Sequence, residues 1–294
     1  MRTPHHHSFY PIVMITGTSS GIGFEWIKIL AREKFRVVAT ALPKSVQQVR
    51  DAGFKDSDPF KLFDLDISDL NRQKEVVREV QKRWGDIEIL INNAGISYRS
   101  VIEDMSSQSE AHQMSVNFSG PMHLTRLVLE GMRKVFRGRI VNVSSVGGMM
   151  AMPTMGYYSA SKWALEGATE ALWFEMKPWN IHVSLVQPGF INSLAFKKVF
   201  YSDKKGLKIT TSPYASYYEN MTQFISFFMK HALFDSKDVA KVIYKTICKK
   251  DPNLRIHGTP DAFFFYYLRR ILPARLFLRL LYCMLPKRKD WVRK

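Results

Sequence analysis

The stretch Ile12-Val13-Met14-Ile15-Thr16-Gly17-Thr18-Ser19-Ser20-Gly21-Ile22-Gly23 decides the fold of this chain. Its first four residues are apolar and mostly β-branched, which is typical of a buried strand, and residues 24–34 carry apolar side chains at helical spacing. A glycine-rich turn between a strand and a helix points backbone N–H groups at an anion. The sequence therefore predicts a dinucleotide pyrophosphate site, with an ordinary turn and helix cap as the alternative. Its residues would be Gly17, Ser19, Ser20, Gly21, Ile22 and Gly23.

Beyond this turn, strand-like and helix-like segments alternate. Strands are predicted at residues 12–15, 35–41, 61–65, 88–92, 138–143 and 182–186. Helices are predicted at residues 24–34, 69–84 and 158–179. Regular alternation predicts an α/β fold with a doubly wound parallel sheet of the Rossmann-like type, covered by helices on both faces.

The chain contains no internal repeat or low-complexity linker, so a single domain is expected. We predict a catalytic domain over residues 1–240, which includes an irregular, aromatic-rich segment at 190–237 that we interpret as a lid over the substrate. Residues 241–294 are predicted to form a basic, hydrophobic, helical C-terminal extension.

Composition and charge limit the remaining possibilities. An apolar fraction of 46% excludes a disordered polymer. The formal charge is +17, and residues 241–294 hold 14 Lys and Arg against 3 Asp and Glu. The two cysteines show no metal or disulfide spacing, so no metal is predicted. The residues before the first strand are too few and too polar for a signal peptide, so a cytoplasmic location is expected.

Tyr158 and Lys162 stand four residues apart, and therefore on one face of the helix predicted there. A phenol titrates near pH ~10, so it needs a neighbouring positive charge to exchange a proton at neutral pH. Lys162 can supply that charge. The pair predicts general acid/base chemistry on a carbonyl or an alcohol, coupled to hydride transfer. Tyr157 is the competing tyrosine, but Ser161 rather than a lysine follows it by four residues.

Several motifs occur in the order found in one known family. The glycines of the first turn are separated by three residues and then by one, and Asn92-Asn93-Ala94-Gly95 follows the fourth strand. With the Tyr158–Lys162 pair, this pattern resembles the short-chain dehydrogenase/reductase family over roughly residues 12–193. The resemblance implies that Ser145, thirteen residues before Tyr158, holds the substrate oxygen. It also implies that Asn117 positions a water that links Lys162 to solvent.

The same resemblance implies further cofactor contacts. Asp66 stands where family members contact adenine, and Asp64 with Asp66 as a metal pair is the weaker alternative. The implied contacts elsewhere, some of them on the nicotinamide side, are Asn93, Ala94, Gly95, Tyr158, Lys162, Pro188, Gly189, Ile191 and Ser193.

The end of the second strand bears on the choice of cofactor. An acidic residue there would bind the ribose 2′-hydroxyl of NAD and repel the 2′-phosphate of NADP. The residues are Thr40-Ala41-Leu42-Pro43-Lys44, without a carboxylate. Lys44 therefore favours NADP.

An apolar substrate pocket is predicted from the composition around Tyr158, although the same side chains would also suit an ordinary core. The order of the motifs, the lid segment and the long C-terminal extension resembles the hydroxysteroid, retinol and aldehyde branch of the family. This resemblance implies a lipophilic aldehyde, ketone or alcohol as the substrate. A 3-oxoacyl thioester reductase and a regulatory protein that binds NADP without turnover are the alternatives. The pocket residues would be Met149, Met150, Met152, Met155, Phe190, Phe196, Tyr214 and Phe224.

The tail from residue 262 to residue 294 mixes aromatic, aliphatic and basic residues. Arginines and Pro273 interrupt any apolar run of ~20 residues, so a spanning helix is not predicted. Two interpretations remain open: peripheral contact with a membrane, and a helix that packs over the pocket. No nucleic-acid partner is predicted, and a homodimer is expected because relatives commonly associate.

Overall fold

A computed structural model describes residues 10–193, 200–201 and 211–291. In these ranges, seven strands form one parallel sheet in the order β3-β2-β1-β4-β6-β7-β9. A separate pair of short strands, β5 and β8, is also parallel. The strands are β1 Ile12–Ile15, β2 Arg36–Ala41, β3 Phe60–Asp64, β4 Ile89–Asn92, β5 Tyr98–Arg99, β6 Gly138–Val143, β7 Ile181–Gln187, β8 Phe200–Tyr201 and β9 Arg255–His257.

Helices cover both faces of the sheet, which confirms the predicted doubly wound fold. The helices are α1 Gly21–Leu30, α2 Val46–Asp51, α3 Leu70–Trp84, α4 Ser107–Met114, α5 Gly120–Lys134, α6 Gly156–Met176, α7 Ala215–Lys230, α8 Ser236–Cys248, α9 Pro260–Ile271 and α10 Ala274–Met284. One core joins the sheet to α1, α2 and α8, and the other joins it to α3, α5 and α6. Strands β1 and β4, in the middle of the sheet, are buried on both faces, as expected for a parallel sheet.

The predicted elements differ from the structure mainly at their ends. The first helix begins at Gly21 and ends at Leu30, several residues earlier than predicted. The helix predicted over 158–179 begins at Gly156 and ends at Met176, after which the single 3-10 turn Lys177–Trp179 leads into β7. Helix propensity does not locate these ends, because local turn geometry and packing decide them.

Strand β9 was not predicted, and it pairs with β7 at the edge of the sheet. The boundary suggested at residue 240 falls inside α8, and β9 lies beyond it. We therefore propose that the C-terminal extension begins after β9. The described part of the lid segment contains α7 and β8, while residues 194–199 and 202–210 of that segment lie outside the described residues.

Candidate active site

The glycine-rich turn lies at the carboxyl end of β1, as predicted. Gly17 and Gly21 adopt positive φ angles of 74° and 59°, which glycine tolerates best. Thr18 fastens the turn to β2, because its backbone N–H and its Oγ1 both donate to the Thr40 carbonyl oxygen, at 2.9 and 3.1 Å. A Cβ on Gly23 would lie 2.2 Å from the Gly17 carbonyl oxygen. The helix can therefore approach the turn only because this position lacks a side chain.

The first turn of α1 is suited to an anion. Ser20 is the N-cap residue, makes no side-chain capping bond, and is followed by no acidic residue in the first turn. The N–H groups at this helix end are therefore available to a ligand, and the helix dipole favours a negative charge there. This arrangement fits a dinucleotide pyrophosphate.

The Asn93-Ala94-Gly95 segment connects the turn to residues that were predicted to be catalytic. The Asn93 Nδ2 donates to the carbonyl oxygens of Thr16 and Gly17, at 2.9 and 3.1 Å, so this side chain braces the turn. A Cβ on Gly95 would lie 3.3 Å from Asn117 Oδ1 and 3.6 Å from Lys162 Nζ. Gly95 thus keeps the backbone close to both residues.

The residues predicted to contact the adenosine half lie at the same edge of the sheet. Asp66 follows β3, and its Oδ1 accepts bonds from the backbone N–H and the Oγ of Ser68, at 2.9 and 2.6 Å. Lys44 is exposed in the 3-10 turn Pro43–Ser45, directly after β2. Asp64 pairs instead with Arg72 at 2.7 Å, so the two aspartates engage different partners.

Tyr158 lies buried in the first turns of α6, beside the end of β6. Its hydroxyl is hydrogen-bonded to Ser145, while Ser145 Oγ accepts the N–H of Gly147 at 3.1 Å. A Cβ on Gly147 would lie 2.8 Å from the tyrosine ring, so the ring packs directly on this backbone. Burial raises the pKa of the Tyr158 phenol, and the bond with Ser145 opposes that rise. The phenol is therefore protonated at neutral pH.

Tyr157 faces different surroundings. It is partly exposed and hydrogen-bonded to Glu110 of α4. Partial burial, together with the charge and the hydrogen bond of Glu110, raises the pKa of its phenol. Two adjacent tyrosines on one helix point about 100° apart, so only one of them can face β6. In this structure that residue is Tyr158.

Lys162 is buried one turn after Tyr158. Its Nζ donates to the Val143 carbonyl oxygen at 2.9 Å. Burial lowers the pKa of Lys162 to about 8, and the charge of Glu166 opposes this decrease. An ammonium of this kind remains protonated at neutral pH and lies close to neutralisation at mildly alkaline pH.

Asn117 belongs to the π-helical turn Ser115–Ser119, which separates α4 from α5. Its Oδ1 accepts the N–H of Ile96 at 2.9 Å, and its Nδ2 donates to the Ile96 carbonyl oxygen at 2.9 Å and to Ser161 Oγ at 3.0 Å. The Ser161 hydroxyl donates in turn to the Tyr158 carbonyl oxygen at 2.7 Å. The asparagine side chain thereby ties the π turn to the helix that holds Tyr158 and Lys162.

The loop after β7 contains the residues predicted on the nicotinamide side. The Pro188 carbonyl oxygen accepts the N–H of Val146 at 2.7 Å, which joins this loop to the segment that follows Ser145. Ile191 and Ser193 are both buried. The predicted positions on β1, β4, β6 and β7 therefore converge at the carboxyl edge of the sheet, where ligands bind in open α/β folds.

Sequence reasoning missed two residues that hold this loop. The Gly189 N–H donates to Thr259 Oγ1 at 2.8 Å, and the Phe190 N–H donates to Asp261 Oδ2 at 2.8 Å. A Cβ on Gly189 would lie 2.0 Å from the Asp261 carboxylate. Because seventy residues separate the partners along the chain, local sequence patterns do not reveal the contact.

Glu166 was also missed, although its position four residues after Lys162 was a usable signal. The buried carboxylate accepts bonds at Oε1 from Ser144 Oγ, at 2.9 Å, and Gln187 Nε2, at 2.8 Å. Its Oε2 lies 3.7 Å from Arg255 Nε. Glu166 thus connects the helix of the Tyr–Lys pair to β7 and β9.

Glu166→Gln is expected to move the alkaline limb of kcat/KM to lower pH. Loss of the negative charge removes the interaction that raises the pKa of Lys162, so the lysine, whose pKa is about 8 with Glu166 present, loses its proton earlier. A pH profile of the initial rates of hydride transfer measures the limb. Glu170→Gln is the matched control, because Glu170 also pairs with Arg255 but has no effect on the pKa of Lys162. An unchanged limb in Glu166→Gln, or an equal shift in both variants, would contradict the prediction.

An apolar cavity of about 180 Å³ lies beside the loop after β7, with Phe190 of that loop in its wall. Its wall is formed by Ala151, Met152, Pro153, Phe190, Phe224, Phe228, Phe265, Leu278, Leu281, Tyr282, Met284 and Leu285. Three of its residues were predicted, namely Met152, Phe190 and Phe224, and these also pack against the hydrophobic cluster that contains Tyr158. Part of the cavity wall therefore belongs to the apolar surroundings of Tyr158.

The other predicted pocket residues lie elsewhere. Met149 and Met150 are buried with Phe277 of α10, and Met155 is buried beside Tyr158. Tyr214 donates its hydroxyl to Glu103 at 2.5 Å. Phe196 lies outside the described residues.

A doubly wound parallel sheet with a glycine-rich turn and a Tyr–Lys pair at its carboxyl edge is the arrangement of an oxidoreductase that uses a dinucleotide. Comparison with known proteins narrows this class to one family. The model of a family described as short chain dehydrogenase matches residues 11–204, about two-thirds of the chain. The chain belongs to the short-chain dehydrogenase/reductase family.

Individual relatives agree with this assignment. A 3-ketodihydrosphingosine reductase of Bacteroides thetaiotaomicron is 30% identical over 251 residues, which cover 85% of this chain and 88% of that protein. The crystal structure of a short-chain dehydrogenase from Streptomyces avermitilis superposes with a TM-score of 0.77 at 25% identity, covering 93% of this chain and 96% of the other. A structure described as ElxO with NADP bound gives a TM-score of 0.67 at 25% identity, and the match covers 85% of this chain and 98% of the other.

Proposed function

We propose that this protein is an NADP(H)-dependent oxidoreductase that interconverts a carbonyl and an alcohol on a lipophilic substrate. The observation that carries the proposal is the buried Tyr158 phenol, hydrogen-bonded to Ser145 and packed in one cluster with the walls of an apolar cavity. Such a phenol can exchange a proton with a substrate oxygen that enters from the cavity.

Each side chain has a distinct part in the proposed reaction. Ser145 Oγ holds the substrate oxygen, and the Tyr158 hydroxyl gives that oxygen its proton during reduction. The Lys162 ammonium stabilises the phenolate that remains, and in the reverse direction it supports Tyr158 as the base. Asn117 would position a water that links Lys162 to solvent, since its Oδ1 accepts the Ile96 N–H with one lone pair and has a second one for the water.

The cofactor supplies the hydride when it is bound. The uncapped first turn of α1, with its glycines, would hold the pyrophosphate, and the loop Pro188–Gly189 would face the nicotinamide. Lys44 is exposed where β2 ends, at the position that would meet a 2′-phosphate. This position supports NADP over NAD.

Lys44→Glu is expected to lower kcat/KM for NADPH by about tenfold or more while that for NADH changes little. The substitution removes an attraction for the 2′-phosphate and adds a repulsion, together about 1–3 kcal/mol. Initial rates with both cofactors measure the ratio. Lys55→Glu is the control, because this exposed lysine precedes β3 and lies at the opposite edge of the sheet. The assignment to NADP is wrong if the two variants keep the same preference.

A long-chain ketone or aldehyde is the substrate class that the cavity favours. Its wall consists almost entirely of aliphatic, aromatic and thioether side chains, which suit an alkyl chain and bind no charged group. The relative from Bacteroides thetaiotaomicron is named for a long-chain ketone, which supports the same class.

NADPH oxidation across a substrate panel tests the proposal. We expect turnover with long-chain ketones such as 3-ketodihydrosphingosine, and with retinal, aliphatic aldehydes or steroid ketones to a degree that depends on their fit. A 3-oxoacyl thioester is included as the competing substrate class. Turnover with the thioester alone, or NADPH binding without any turnover, would overturn the proposal.

A further inference from the structure

Exposed apolar side chains are concentrated on the last two helices. Nine of the twenty large hydrophobic residues exposed in the described ranges lie between residues 263 and 284. They are Phe263, Phe264, Tyr267, Ile271, Leu276, Leu278, Leu280, Tyr282 and Met284. We refer to these nine residues as the tail surface. An exposed apolar patch on this scale marks a binding surface rather than ordinary scatter.

The tail surface is continuous with the cavity beside Tyr158. Leu278, Tyr282 and Met284 line the cavity and are nevertheless 60%, 55% and 45% exposed. A side chain can satisfy both conditions only at the rim of an opening. The cavity therefore opens onto the tail surface, while its inner wall, with Met152 and Phe190, packs against the cluster that contains Tyr158.

The charge around the tail surface has a single sign. Between residues 262 and 289 there are seven Lys and Arg and no Asp or Glu. Arg275 and Arg279 are exposed on α10 itself, and Lys287 is exposed just after it. An apolar face bordered by cations complements anionic lipid, because the apolar side chains enter the acyl region while the cations meet the headgroups.

The lengths of the helices favour a position in the plane of a bilayer. Helix α10 has 11 residues, and Pro273 separates it from α9, which has 12. A helix of about 20 residues is needed to cross the hydrocarbon core. Among the described residues, no helix is both long enough and apolar enough to do so.

We propose that the tail surface docks on an anionic lipid bilayer and that the substrate enters the cavity from that bilayer, past Leu278 and Tyr282. The second part rests on the proposed function, because it concerns the lipophilic substrate of that reaction. A substrate that follows this path reaches, through the cavity, side chains that pack in one cluster with Tyr158.

Flotation of the full chain with lipid vesicles tests the docking. We expect binding to phosphatidylcholine vesicles that contain phosphatidylserine, weakening as salt is added. Arg275→Gln with Arg279→Gln should weaken that binding about thirtyfold, since each cation contributes about a fivefold step. Binding to phosphatidylcholine alone should change little in this variant.

A second pair of variants tests the apolar part of the surface. Leu276→Asp with Leu280→Asp should also weaken vesicle binding by about thirtyfold or more; both residues are exposed and neither lines the cavity. The control is Val135→Asp with Leu233→Asp, which changes two exposed residues elsewhere and should leave binding unchanged. Equal vesicle binding by the two pairs overturns the proposal. The proposal is also overturned if the native chain does not bind vesicles but forms a dimer, and if Leu276→Asp with Leu280→Asp dissociates that dimer while the control pair does not.

Turnover and crosslinking test the path of the substrate. The Leu276→Asp/Leu280→Asp variant should lose activity on a long-chain ketone held in vesicles and keep its activity on a short, water-soluble ketone. Unchanged rates on the vesicle-held ketone overturn the path. A photoactivatable long-chain ketone in vesicles should label residues 274–285. This labelling tests the path of the substrate without requiring turnover. If neither ketone is reduced by the native chain, the proposed function fails, while flotation and crosslinking still decide the present inference.

Discussion

Tyr158→Phe is expected to reduce NADPH oxidation about a thousandfold while NADPH still binds. The substitution removes only the hydroxyl that is hydrogen-bonded to Ser145 and leaves the ring in its packed position against Gly147. Loss of a positioned general acid usually costs about 10²–10⁴ in rate. Initial rates with a reactive ketone measure the loss, and the fluorescence of bound NADPH measures the affinity.

Tyr157→Phe is the matched control for this prediction. It makes the same chemical change on the neighbouring residue, whose hydroxyl is bonded to Glu110 on the other side of the helix. We expect its rate to stay within about threefold of the native rate, since no proton to the substrate passes through it. If Tyr158→Phe keeps most of its activity, or if both variants lose activity equally, Tyr158 is not the proton donor.

Gly23→Ala is expected to abolish the stabilisation of the protein by NADPH. The added methyl group would lie 2.2 Å from the Gly17 carbonyl oxygen and 2.7 Å from Asn93 Nδ2, so α1 must move away from the turn. Overpacking of this kind costs about 1–3 kcal/mol, and the turn loses the shape that holds a pyrophosphate. Thermal unfolding with and without NADPH measures both effects, because a ligand that binds the native state raises Tm.

Gly167→Ala provides the control for this second prediction. Gly167 lies inside α6, and no atom outside its own helix turn lies within 4 Å of a Cβ placed there. Alanine in a helix is about 0.5–1 kcal/mol more favourable than glycine, so Tm should rise by about 2 °C with the NADPH effect intact. A normal NADPH effect in Gly23→Ala would show that the turn tolerates the methyl group and does not bind the cofactor as proposed.

The sequence and the structure contribute differently to the two comparisons, of Gly23 with Gly167 and of Tyr158 with Tyr157. The sequence identifies Gly23 by its motif, but only the distances separate it from Gly167, which stands in an ordinary helix. Tyr157 and Tyr158 were separated by the position of Lys162 alone, and the structure adds that their hydroxyls have different partners.

Prediction from sequence succeeded where the residues that indicate a structural element lie within one short segment. The apolar run of β1, the glycines after it and the i, i+4 spacing of Tyr158 and Lys162 are local, and parallel strands bring their carboxyl ends to one edge. Strand β9 was missed because its three residues, Arg255-Ile256-His257, are too few for alternation to be a signal and become a strand only through pairing with β7. The polar contacts of Asp261 with Phe190 and of Glu166 with Gln187 were missed for the related reason that they join distant segments.

By itself, the sequence determined the family, the fold class and the residues expected to do the chemistry, because each of these is encoded in contiguous motifs with a fixed geometry. Only the tertiary structure decided which side chains surround the Tyr–Lys pair, how the segment 258–261 holds the loop after β7, and which helix forms the rim of the cavity. The physical reason is that burial and electrostatic environment depend on contacts between segments far apart in the chain. The pKa of Lys162 illustrates this, since burial beside the end of β6 lowers it and the charge of Glu166, from the next turn of α6, opposes the decrease.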